Sequence, residues 1–224
     1  MNTELIQKLV GILPDLLQAT KETGLMLAIG LVAAFVLGGT LGVFLYLWKK
    51  GGLLQNRWLH LVFGGLVNIT RSFPFVILMI TVIPLTKKLA GTSIGPLAAA
   101  VPLSIAAIAY FGRLVELALN EVPRGVIEAA EAMGATPWKI VFSVLLVEAR
   151  SPLVLAFTSL TVSFLSYTAA AGIVGGGGIG DLAIRFGYYQ FQTEIMVATT
   201  LFLIVLVQTI QASGSLLARR LDHR

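Results

Sequence analysis

Cysteine is absent from this 224-residue chain, so neither a disulfide nor a thiolate metal site can be built, and the redox compartment leaves no trace. Charge is scarce too: Asp, Glu, Lys and Arg make up 12% of the residues, about half the share of an ordinary soluble domain. The two histidines, His60 and His223, stand apart from each other and from carboxylates, which leaves no metal or nucleophile constellation. No G-x-x-x-x-G-K-[ST] loop occurs, so this chain cannot hydrolyse ATP by that route. Gly175, Gly177 and Gly180 keep the G-x-G-x-x-G spacing, but they follow an apolar run rather than a strand, and a flexible turn is the expectation there. These absences argue against a catalyst, and no cofactor or metal is expected on the chain itself.

What fills the sequence is hydrocarbon. It is 57% hydrophobic with a mean hydropathy of +0.89, the signature of an integral membrane protein. A helix needs about 20 apolar residues to cross a core of about 30 Å. Thr23 to Trp48, Leu89 to Gly112, Ser151 to Gly180 and Ile195 to Ala218 contain no Asp, Glu, Lys or Arg, and Trp58 to Thr86 is interrupted only by Arg71. As one helix that last interval would run about 43 Å, longer than the core, so it must tilt or kink, and Pro74 is the place for a kink. The expectation is an all-α membrane protein with five spans, at about 23–48, 58–86, 89–112, 151–175 and 195–218, forming one transmembrane domain over 23–218.

Lysine and arginine accumulate in cytoplasmic loops. With five spans, one side receives Lys49, Lys50, Arg57, Arg113, Arg124, Lys139, Arg150, Arg219, Arg220 and Arg224, and the other receives Lys8, Lys21, Lys87, Lys88 and Arg185. This bias predicts an external N-terminus, a cytoplasmic C-terminal tail over 219–224 and a cytoplasmic loop over 121–150. The pI of 9.7 then reflects topology and anionic lipid rather than nucleic acid. Residues 1–22 carry acidic Glu4 and Asp15 where a signal peptide would be positive. Their stripe of Leu5, Leu9, Ile12, Leu13 and Leu16 reads as an external interfacial helix.

Within the first span Gly30, Ala34, Gly38 and Gly42 repeat every four residues, a ridge that lets another helix approach closely. The fourth span is crowded with hydroxyls, at Thr158, Ser159, Thr161, Ser163, Ser166, Tyr167 and Thr168. They either bond helix carbonyls or line a water-filled route. Arg71 is a functional candidate by default as an intramembrane charge. Its structural reading has it satisfying carbonyls freed at Pro74 or pairing with Glu116.

The loop is the most polar part of the chain. Pro123 can open a helix in which Val126, Ala129, Ala130 and Met133 share a face and which Gly134 closes. Thr136 and Pro137 restart a second helix as N-cap and first residue, with Trp138, Val141, Phe142 and Leu145 at helical spacing.

The run Glu128-Ala129-Ala130, with Gly134 four residues on, resembles the E-A-A loop of permease subunits in ATP-binding-cassette importers. Arg71-Ser72-Phe73-Pro74-Phe75, Ile83-Pro84, Gly91 to Gly95, Met133 to Pro137 and the Gly175 to Gly180 run resemble, in order, the methionine importer permeases. One departure is Leu146-Val147 where the family has Leu-Pro. The resemblance implies a type I importer permease fold in the bacterial inner membrane. It also implies a homodimer, two cytoplasmic ATPase subunits on which ATP and Mg act, and an external binding protein. It makes residues 123–133 a coupling helix, with Glu128, Ala129, Ala130, Met133, Gly134 and Ala135 contacting the ATPase, and the fourth span a pore wall, with Ser163, Tyr167 and Ala170 lining it. The rival class, a self-contained channel or ion-coupled carrier, is disfavoured because only Arg71 is ionisable within a span and five spans cannot divide into equal repeats. A cysteine introduced at Lys139 tests the topology in this cysteine-free background: an impermeant maleimide should label it only after the cells are opened, and labelling of intact cells would overturn the orientation.

Overall fold

A computed structural model describes residues 11–222, helical almost throughout. Glu4, Leu5, Lys8, Leu9, His223 and Arg224, invoked above, lie outside the described residues. In chain order the helices are α1 (Leu13–Trp48), α2 (Arg57–Ser72), α3 (Phe75–Thr81), α4 (Ile83–Ala90), α5 (Pro96–Asn120), α6 (Arg124–Ala132), α7 (Pro137–Ile140), α8 (Arg150–Ile173), α9 (Gly178–Leu182) and α10 (Thr193–Leu221). Widened π turns occupy Ala34–Gly38 inside α1, Val141–Leu145 after α7 and Ala183–Tyr189 after α9. Among the described residues α1, α5, α8 and α10 are long and apolar enough to cross a membrane, and the pair α2 and α3 qualifies as a fifth, broken span.

Three boundaries differ from the sequence expectation. The pair α2 and α3 is bent by 106° rather than gently kinked, because Pro74 adopts an extended ψ of 130° and serves as the N-cap from which α3 restarts. The expected span 89–112 is helical from Pro96 to Asn120 instead. Its start is delayed by a turn in which Gly91 and Gly95 take φ of +73° and +97°. It continues past Gly112 because the two charges beyond neutralise each other, Arg113 Nη1 reaching Glu116 Oε2 at 2.6 Å. Third, α1 begins at Leu13 and runs unbroken to Trp48, so residues 13–22 are continuous with the first apolar segment.

The residues gather into two compact units, the first of Met1–Leu31, Phe73–Ile105 and Thr161–Ile210, the second of Val32–Ser72, Ala106–Leu160 and Gln211–Arg224. In the first, Ala19 packs with Ile179 and Leu182, joined by Ile12, Leu16, Phe186, Phe202 and Leu203. Phe164 is fully buried there, its ring 3.8 Å from where a Cβ on Gly30 would sit. In the second unit, aromatic rings carry much of the packing. Phe157 meets both Phe35 and Phe111 edge-on at 6.0 and 5.5 Å, and Trp48 lies between Phe44 and Phe63. Asn56 caps α2 by accepting the Leu59 N–H at 3.1 Å, and His60 Nδ1 lies 3.1 Å from the Leu45 carbonyl oxygen, a structural role.

The glycine ridge is a seam against α5. A Cβ on Gly38 would lie 2.7 Å from the Ile108 carbonyl oxygen, and one on Gly42 only 2.4 Å from that of Gly112. A four-residue repeat drifts by about 40° per step on an ideal helix of 3.6 residues per turn. The π turn at Ala34–Gly38 turns less per residue and offsets that drift. Gly42→Ala and Gly38→Ala are therefore expected to destabilise the purified chain by about 1–3 kcal/mol through overpacking. Gly30→Ala, which meets only ordinary contacts of 3.8–4.0 Å, should be neutral or slightly stabilising. Thermal unfolding in detergent distinguishes them, and equal effects at the three positions would refute the seam.

Candidate functional site

Two local structures, one in each unit, carry the residues singled out by sequence. In the second unit α6 and α7 form a rigid elbow. α6 starts from Pro123 in extended conformation. Its other end is closed by paired hydrogen bonds, the Gly134 N–H donating to the Glu131 carbonyl at 2.9 Å and the Ala135 N–H to that of Ala130 at 3.1 Å. Gly134 has φ +76°, the left-handed step that such an end requires. Thr136 then caps α7, its hydroxyl accepting the Lys139 N–H at 3.4 Å, with Pro137 in the first turn. The Val147 departure leaves the chain helical through Glu148, with only Ala149 irregular before α8.

The faces of α6 sort differently from the simple apolar stripe. Only Ala130 is buried, at 3% exposure, while Val126, Ala129 and Met133 are exposed, Met133 at 83%. The opposite face turns toward the 49–53 loop. There Arg124, Ile127, Glu128 and Glu131 join Tyr46, Lys49, Gly51, Gly52 and Leu53 around a cavity of about 210 Å³. Burial, and secondarily the Arg124 guanidinium, pull the Lys49 ammonium below its ordinary range, with Glu116 opposing. Lys49 also hydrogen-bonds Asn120 at the end of α5 and lies over the Tyr46 ring. The elbow is thus tied to the ends of two long helices and leaves an apolar stripe bare.

In the first unit Ser163, Tyr167 and Ala170 fall on one face of α8 and are half-buried. Tyr167 stacks on Phe75 at 4.7 Å with planes 5° apart and meets Phe164 edge-on at 5.2 Å. Thr168 donates to the Leu165 carbonyl at 2.7 Å and, in the other unit, Thr158 to that of Val154 at 2.8 Å, so part of the hydroxyl crowding is absorbed by the helix itself.

Sequence reading missed Glu22 and Thr23. Gly178 opens α9 with no capping side chain of its own. Glu22 Oε2 accepts the Gly178 N–H at 2.8 Å, and Thr23 Oγ1 accepts the Ile179 N–H at 2.9 Å, from 156 residues away. Gly177 and Gly178 take φ of +74° and +87°, and a Cβ on Gly180 would lie 2.3 Å from the Ala169 Cα. The Gly175 to Gly180 run is therefore a pinned turn rather than a flexible one. The available signal was an acid at the edge of an apolar interval facing a glycine run without Ser, Thr, Asp or Asn to cap it.

Arg71 does not meet Glu116, which is 5% exposed and held by Arg113. It is exposed in the last turn of α2, where a cation complements the helix dipole, with its guanidinium 5.6 Å from the Tyr110 ring centroid. No cluster of His, Cys, Asp or Glu able to hold a metal occurs among the described residues.

By class this is a multi-pass helical membrane protein with a rigid, capped helix in one of its loops. Residues 26–224 match the family described as the binding-protein-dependent transport system inner membrane component, and the chain belongs to that family. It is similar to the probable D-methionine transport system permease protein MetI of Vibrio cholerae, at 51% identity over 93% of both chains. It is also similar to the methionine import system permease protein MetP of Bacillus subtilis, at 42% identity over 80% of this chain and 81% of that one. Its structure superposes on a chain of the MetNI methionine ABC transporter in an inward-facing conformation, with a TM-score of 0.92 and 39% identity, covering 95% of this chain and 99% of the other. The protein is a non-catalytic permease subunit of the inner membrane, and a self-contained channel or carrier is not favoured.

Glu22→Ala and Thr23→Val each remove a cap worth about 0.5–2 kcal/mol. The expected result is faster hydrogen exchange at the Gly178 and Ile179 amides, with Glu22→Gln retaining an acceptor and most of the protection. Unchanged exchange in the Ala and Val variants would show that the turn holds without them.

Proposed function

We propose that this chain is the transmembrane permease of an ATP-driven methionine importer. Two copies form the path, two cytoplasmic ATPase subunits bind ATP and Mg, and an external binding protein delivers the substrate. The observation that carries this reading is the elbow, a helix fixed at both ends that presents Val126, Ala129 and Met133 to solvent. An apolar stripe on a rigid polar loop fits a groove in a partner. The relatives named as methionine permeases and the superposed MetNI chain support the choice of partner and substrate. In this reading the bent pair α2 and α3 counts as one of five spans, and the Lys/Arg bias supports an external N-terminus and a cytoplasmic elbow.

In this reading Ala129 and Met133 seat in the ATPase, Gly134 and Ala135 form the turn that limits how deep the helix goes, and Ala130 packs inward to hold it. Glu128 faces the 49–53 loop and supplies a polar edge. When the ATPase subunits close on ATP they draw the two elbows together and rotate the spans between inward-open and outward-open states, a coupling that needs a contact differing between the two. Ser163, Tyr167 and Ala170 line the path, and selectivity rests with the binding protein. No deep charged site is then required for a thioether amino acid.

Met133→Glu together with Glu128→Lys should leave membrane insertion intact, reduce co-purification of the ATPase at least tenfold and abolish ATP-dependent methionine uptake in proteoliposomes. Ala170→Trp should block uptake while sparing assembly. A double variant that still assembles and transports normally removes the docking assignment, and undiminished uptake by Ala170→Trp removes that residue from the path.

A further inference from the structure

One cavity of the second unit plays no part in the reading above. It is an open groove of about 790 Å³, floored by Phe35, Val36, Phe111 and Phe157 and walled by Trp138, Phe142 and Leu217. That volume lies within the range of about 300–1,000 Å³ in which proteins hold discrete ligands. Its lining carries almost no chemistry for a polar guest. Thr40 donates to the Val36 carbonyl at 2.6 Å, Thr158 donates to that of Val154 at 2.8 Å, and Ser213 is engaged as well. Water or a zwitterionic amino acid would find no free partner there, and a buried unpaired polar group is costly. The guest must therefore be hydrocarbon.

The rim is different. Arg220 lies three residues beyond Leu217 on the same face of α10, and Lys139 adjoins Trp138 at the start of α7. Both are exposed, and among the described residues neither forms an ion pair. Hydrocarbon alone would not select a guest inside a bilayer, where lipid tails are as apolar as the groove. Two cations, each following a lining residue along its helix and free of ion pairs among the described residues, would, because long basic side chains reach a headgroup phosphate and anionic headgroups bind basic pockets.

We propose that this groove is a binding site for an anionic phospholipid of the leaflet on the elbow side, one acyl chain lying along Phe35, Val36 and Phe157 and the headgroup phosphate held by Lys139 and Arg220. The site lies against α7, so its occupancy bears on the helix that follows the elbow.

The full-length chain, purified with its co-purifying partners and in a parallel preparation alone, is analysed by native mass spectrometry after exchange into micelles doped with phosphatidylglycerol or phosphatidylcholine. The wild type should retain phosphatidylglycerol preferentially. Val36→Trp, which fills the groove from an exposed position, should lose the bound lipid. Lys139→Gln and Arg220→Gln should each weaken the preference for phosphatidylglycerol by roughly fivefold, the effect of one basic residue at a membrane surface. Equal retention of both lipids by the wild type, undiminished retention by Val36→Trp, or an unchanged preference in the charge variants would overturn the proposal. So would a wild type that retains no lipid while Val36→Trp disrupts its dimer, since the groove would then be a surface between two copies of this chain.

Discussion

A chain with this composition has little water to lean on, so the polar groups it carries into the apolar region have to be satisfied largely by the chain itself, the buried Thr86 hydroxyl being an exception. That constraint explains features that otherwise look unrelated. Glu116 is buried because Arg113 lies one turn away, and the pair lets α5 run eight residues beyond the last uncharged position. Arg150 Nε donates to the Leu221 carbonyl at 3.0 Å, closing the end of α10 with a side chain instead of water. Glu22 and Thr23 supply α9 with the acceptors its own sequence lacks. In each case the partner comes from a neighbouring turn or a distant helix, and the boundary of an element is set by where that partner happens to be.

The same constraint marks what could be read in the sequence. Apolar runs free of charge located α8, α10 and the C-terminal end of α1 well, because length and composition alone decide whether a segment can remain in lipid. The elbow was legible down to its turns, since Pro123, Gly134 and Pro137 act through their own backbones, Thr136 through a hydroxyl bonded three residues on, and none needs a tertiary partner. Counting charges ended the third span at Gly112 because an isolated Arg113 is intolerable in lipid, and the count could not know that Glu116 faces it. The 106° break at Pro74 was underestimated because proline fixes φ but leaves ψ to the surroundings. The shared face of α6 is divided in the structure, Val126, Ala129 and Met133 being bare while Ala130 is covered. A periodicity of apolar residues says which side avoids water, not whether the side is covered by the same chain or by another.

The candidate pore wall was the least legible part. Hydroxyls in α8 leave the same trace in sequence but sit differently: Thr158 and Thr168 bond their own helix, while Ser166 is exposed and Ser163 half-covered. What distinguishes Tyr167 is the stack with Phe75, which fixes the ring at the start of the broken segment after Pro74. That coupling joins residues 92 positions apart, and no local pattern announces it.

Transmission of force through the elbow depends on where the chain is stiff and where it yields. α6 is short, but its C-terminal pair of hydrogen bonds, its packing through Ala130 and its neighbourhood with the Lys49 loop leave few ways to deform it. Directly after α7 comes the π turn at Val141–Leu145, whose wider winding has poorer local hydrogen bonding than an α turn. A push on the stripe of Val126, Ala129 and Met133 would therefore move α6 as a body and be accommodated, if anywhere, in that turn. If the turn were an ordinary α segment, the elbow and the start of α8 would be one stiff lever. Val141 and Leu145 within that turn are buried, so the wider winding also belongs to the packing that seats the elbow in its unit.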